Sequence, residues 1–139
     1  LGAALGRGAL PRLQELDLDF DGLGSAGLTA LAPGLRARPQ LKTLYLGGNG
    51  IGDDGVAALV APGEGVLPSL EELSLGNNNV TDAGCAALVA ALSSGAIPSL
   101  KQIFLADNPA SAAACAAVDA ARPGLNEDSD TSLTDDDDF

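Results

Sequence analysis

A chain of 139 residues carrying a formal charge of −12 repels phosphate, which disfavours nucleic acid or an anionic membrane surface as its partner. Hydrophobic residues make up 46%, yet only 3% are aromatic and Met and Trp are absent, so the core must be layered from Leu, Ala, Val and Ile. No apolar run approaches the roughly 18 residues of a membrane-spanning helix.

Taken in chain order, Ala3–Leu13 matches Ala90–Leu100 position by position in its framework, with Gly8 against Gly95 and Pro11 against Pro98. Residues 1–12 are therefore expected to be the back half of an upstream repeat, and the chain a piece of a longer array. Next come four related stretches: Leu13–Leu23 (LQELDLDFDGL), Leu41–Ile51 (LKTLYLGGNGI), Leu70–Val80 (LEELSLGNNNV) and Leu100–Ala110 (LKQIFLADNPA). Their starts at 13, 41, 70 and 100 are 28, 29 and 30 residues apart, a repeat rather than a coincidence.

Each stretch begins as a strand. Alternate residues of an extended chain face one side, so Leu16 with Leu18, Leu44 with Leu46, Leu73 with Leu75, and Ile103 with Leu105 point inward together. A sharp turn follows, where backbone N–H and C=O groups would be buried without partners. Asn49, Asn78 and Asn108 carry amides able to serve both kinds of group, giving a hydrogen-bonded ladder from coil to coil. Asp21 holds that place in the first unit but its side chain only accepts, so the first coil should be less well satisfied.

The second half of each unit has helical spacing: Leu23, Leu28, Leu31 and Leu35 form one apolar stripe, and Val80, Cys85, Leu88 and Leu92 its counterpart. Asp53 or Asp54, Asp82 and Ser111 are the expected N-caps, and Pro123 marks the end of the last helix. Gly27, Gly55 and Gly84 recur at one place in their units, where a small residue predicts close approach of helix to strand. The repeat occupies residues 13–124. Residues 125–139 hold seven acids and no base, leaving −5 for the chain before them, and are expected to form a disordered acidic tail.

The pattern L-x-x-L-x-L-x-x-N-x-L, met four times with Asp21 and Ala110 as departures, resembles the leucine-rich repeat family. The long units resemble its ribonuclease-inhibitor-like subclass. That resemblance implies an α/β fold: a right-handed solenoid with short parallel strands on the concave face and helices on the convex face.

Motifs that suggest other chemistry are absorbed by the repeat. Gly50–Gly55 reads G-x-G-x-x-G between strand and helix, but Asp53 and Asp54 would face the phosphates of a dinucleotide there. Asp17–Gly22 opens like a calcium-binding loop, but the twelfth position is Leu28 instead of a bidentate Glu. Cys85 and Cys115 sit at equivalent helix positions in adjacent units, about 10 Å apart by ordinary helix packing, beyond the reach of a disulfide. They are expected to be reduced thiols of an intracellular, cytoplasmic protein. With no His, neither a metal site nor a Cys–His nucleophile has support, and no cofactor is expected.

Function is expected in the gaps between the framework residues. Those positions present Glu15, Asp17, Asp19 and Phe20, then Lys42 and Tyr45, then Glu72 and Ser74, then Phe104. With Glu71, Asp107 and Lys101 the strand face carries six carboxylates against two lysines. Three of the four aromatics fall on it, and aromatics are common binding anchors. The sequence thus points to a non-enzymatic scaffold for a protein partner, one with basic residues. Two alternatives stand beside it. One is a small-GTPase regulator of the Ran GTPase-activating type, although the loops after the strands contain neither Arg nor Lys. The other is a purely structural end segment.

Overall fold

The structure is a computed structural model that describes residues 14–36, 40–60, 67–122 and 124–126. The expected upstream half-repeat at 1–12 and the expected tail from 127 onward lie outside the described residues. Strands and helices alternate: β1 (Glu15–Asp17), α1 (Gly24–Arg36), β2 (Thr43–Tyr45), α2 (Asp53–Leu59), β3 (Glu72–Ser74), α3 (Asp82–Ser93), β4 (Gln102–Phe104) and α4 (Ala112–Ala120).

The four strands form one parallel sheet in sequence order. Its register places Leu16, Leu44, Leu73 and Ile103 in a single row. That row faces the core, and the last three of its members are at most 4% exposed. Strands pack about 4.8 Å apart and helices about 8–10 Å apart. Stacking such units therefore bends the sheet inward and leaves the strands on the concave side.

Each coil closes through the same chemistry. Asn78 Oδ1 accepts the N–H groups of Asn49 and Ile51 at 2.9 Å, while its Nδ2 donates to the carbonyls of Leu46, Leu75 and Gly76. Asn49 serves Asp21 N, Leu23 N and Leu18 O of the coil before it. Asn108 accepts from Val80 N and donates to Leu75 O and Leu105 O. The Asp21 side chain would find its equivalent partners on residues before 14, outside those described; what the structure describes is its backbone N–H donating to Asn49.

The helix starts correct two readings of the sequence. Asp53 and Asp82 do not cap their own helices. Gly52 and Thr81 stand at those N-caps, and the Thr81 hydroxyl accepts from Ala83 N. Each carboxylate instead reaches the next coil: Asp53 accepts from Thr81 N, Thr81 Oγ1 and Gly84 N, and Asp82 from Ser111 N and Ser111 Oγ. Ser25 begins the series by accepting from Gly52 N. Ser111 caps α4, as its sequence position predicts. The Asp53 carboxyl titrates below the usual range, chiefly because the Thr81 hydroxyl donates to it.

The recurrent glycines follow from this second ladder. A Cβ at Gly55 would stand 3.1 Å from Ser25 Cα, and one at Gly84 would crowd the Asp53 carboxylate and Val80. The close approach is to the helix start of the preceding coil and to the residue's own turn, not to a strand.

The far end is partly closed by residues the sequence assigned elsewhere. Leu125 is 5% exposed and belongs to the core cluster, so the array runs past 124. The sequence R-P-G-L at 122–125 repeats L-P-S-L at 67–70 and I-P-S-L at 97–100, the openings of the third and fourth coils. Arg122 donates to the carbonyls of Ile97, Leu92 and Ala96, satisfying groups left over at the end of α3.

Candidate functional site

The strand face is built by the alternation that builds the core. With Leu44 and Leu73 turned inward, Thr43, Tyr45, Glu72 and Ser74 must turn outward, and each is half-buried. Register then sorts the outward residues into two rows: Glu15, Thr43, Glu72, Gln102 and Asp17, Tyr45, Ser74, Phe104. Tyr45 and Phe104 share a row with only Ser74 between them, on strands about 10 Å apart by the usual strand spacing. The side chain between them in the row is that of a small serine. Phe104 is 38% exposed.

The charge around Tyr45 is one-sided. Its hydroxyl titrates above the usual 10.0, first because of Glu72, then partial burial, then Glu15 and Asp17. Three carboxylates on the two strands flanking β2 therefore act on one ring. Lys101 stands 4.0 Å from Glu71 with both side chains well exposed, a weak surface pair. Lys42 is exposed.

Phe20 departs from the expected strand position. It lies in the turn after β1 with φ 57°, in the left-handed region, and is 73% exposed. Its equivalents are Gly48, Asn77 and Asp107, residue types that tolerate that conformation far better than Phe. The ring rests on Gly48, where any Cβ would collide with it. Asp19 beside it accepts the Gly47 N–H at 2.6 Å, and Asp17 accepts the Asp19 N–H at 3.0 Å. Phe20 and Asp19 thus form a rim at the first coil, beyond Asp17, which is the first member of the Tyr45–Phe104 row.

The sequence therefore locates the outward residues, and the structure divides them into a central row and a rim. Thr43 and Gln102, outward by the same alternation in the sequence, lie in the Glu15–Glu72 row. Ser25, Asp53 and Asp82 were missed as inter-coil connectors; their signal was the return of a polar residue twelve positions into three consecutive units. Among the described residues no group of three or more His, Cys, Asp or Glu side chains could hold a metal ion. No helix there is long and apolar enough to cross a membrane.

The two thiols are free, Cys85 buried and Cys115 partly exposed. Burial first, and the neighbouring Cys115 second, push the Cys85 thiol up to about 11. The two thiols lie on α3 and α4, which are consecutive helices.

Residues 39–60 and 66–89 match the family described as Leucine Rich repeat. No curated protein matches the sequence. Among solved structures, the chain is similar to leiomodin-1 actin-binding site 2, with a TM-score of 0.69 and 14% identity over 86% of this chain and 68% of that one. The repeat of Leu and Asn, the parallel sheet with helices behind it and the likeness to that domain agree: the chain carries leucine-rich repeats and folds as a leucine-rich repeat solenoid.

Proposed function

We propose that the chain is a non-enzymatic scaffold that holds a protein partner on its strand face, with basic side chains of the partner received around Tyr45. The observation that carries this reading is the placement of Tyr45 and Phe104 on either side of Ser74, with Glu72, Glu15 and Asp17 raising the Tyr45 hydroxyl. A cation set between the rings meets a ring face and carboxylates together. Phe20 and its neighbouring aspartates give the same partner a second contact at the rim. The leiomodin-1 neighbour is itself an actin-binding site, which supports a protein partner for this fold. Two reduced thiols fit an intracellular setting.

Selection from a displayed random-peptide library tests the reading. Peptides enriched on the parent chain and counter-selected on Tyr45→Ala/Phe104→Ala should be rich in Arg and Lys next to an apolar residue. Enrichment of uncharged or acidic peptides, or equal retention by the folded variant, would overturn it.

A further inference from the structure

The sheet ends unevenly at its last strand. In every earlier coil the residue after the strand donates its N–H to the following coil: Leu18 to Tyr45 O, Leu46 to Ser74 O and Leu75 to Phe104 O. Two residues later the pattern returns, with Phe20 donating to Gly47 O, Gly48 to Gly76 O and Asn77 to Ala106 O. The counterparts in the fourth coil are Leu105 and Asp107. Among the described residues no carbonyl receives either N–H.

The start of the same edge is closed. Asn126 N donates to Lys101 O at 2.7 Å, and Asn126 Oδ1 accepts the Ile103 N–H at 2.9 Å. Asn126 itself has φ 62°, outside the extended region that a strand residue adopts. Continuing the count from Leu125 puts Asp128 and Asp130 where the other units place inward-facing aliphatic residues. Burying two carboxylates there would be costly, so the chain's own continuation is a poor fifth strand. Along this edge lies a cavity of about 300 Å³ lined by Ile103, Phe104, Leu105, Ala106, Cys115 and Asp119, with Asn126 of the closed half also on its wall.

We propose that this edge is a strand-acceptor site, in which an extended segment of a partner protein pairs in parallel with residues 103–107 and lengthens the sheet. The earlier coils define the occupant. It offers two carbonyls two residues apart to Leu105 N and Asp107 N, and one aliphatic side chain to the cavity, in the row of Leu16, Leu44, Leu73 and Ile103. Its next side chain stands beside Phe104. Asp107 and Asp119 favour a segment free of acids. Unpaired strand edges are ready templates for such addition, with backbone bonds giving affinity and the alternate pocket giving specificity.

The full chain and the synthetic nonapeptide KTLYLGGNG, which copies residues 42–50, supply the test by amide hydrogen exchange. In the free chain at low concentration, Leu105 and Asp107 should exchange at least about tenfold faster than Leu75 and Asn77. At about 1 mM peptide both should slow by a similar factor, and a peptide with Ser in place of both leucines should have no effect. Three results would overturn the proposal. They are protection of both amides in the free chain at every dilution, protection that follows chain concentration without peptide, or no change on adding the leucine peptide.

Discussion

The middle coils and the outer coils use the same residues and obtain different results from them. Asn49 and Asn78 are 4% and 5% exposed, whereas Asn108, with the same kinds of bond, is only half-buried. Leu44 and Leu73 are fully buried, whereas Leu16, in the same row, is not. Among the described residues, what differs is the number of neighbouring coils. A solenoid unit buries its face against the units on both sides, so stability is a sum over nearest neighbours and the ends carry less of it.

Substitutions along one row sharpen that comparison. The largest effect is expected at Asn78→Ala, which removes five hydrogen bonds and strands buried backbone groups in two coils; it should cost about 3–4 kcal/mol by urea denaturation. Asn108→Ala should cost about half as much. Equal losses would break the neighbour argument. Next comes Leu73→Ala, at about 3 kcal/mol, against about 1 kcal/mol for the half-exposed Leu16→Ala.

A smaller effect is expected at the second ladder, which water reaches. Asp53→Asn should lower stability at pH 7 by about 1 kcal/mol. The folded carboxyl titrates below its ordinary 3.8, so its contribution is present above that value and fades as pH falls through the folded one. Parent and variant should therefore converge in acid, and a gap that stays constant with pH would contradict the assignment.

The smallest expected change touches no stability at neutral pH. Cys85 should resist a thiol reagent at pH 8 while Cys115 reacts, because burial holds the Cys85 thiol near 11. The protonated thiol favours the fold below its ordinary 9.0, and that contribution is lost as pH rises towards 11. Equal labelling rates would mean that α3 and α4 separate readily.

The framework was legible because it repeats: period-two leucines define the strands, and a polar amide at a fixed offset defines the turn. Which residues face outward followed from the same alternation, so Tyr45 and Phe104 could be placed in one row before any coordinate. The helix starts were less legible. A carboxylate at the first turn of a helix can serve its own N–H groups or those of the next coil, and spacing within one unit does not distinguish them. Arg122 reads in sequence as a base before Pro123 and Asn126 as the first residue of an acidic stretch; only the fold brings them to the carbonyls and the strand edge that they complete. Phe20 was legible as an outward residue, but nothing local predicts an aromatic in a left-handed turn. Its position depends on Gly48 one coil away, which leaves room for the ring.

The central claim is that framework and binding face are separable on the same strands. Comparing the parent with Tyr45→Ala/Phe104→Ala in a titration with the basic peptide that selection enriches most, beside a thermal melt of each, tests it directly. A melting temperature within about 3 °C of the parent, together with an affinity at least about tenfold weaker, is the predicted result. An unchanged affinity in a folded variant would contradict it.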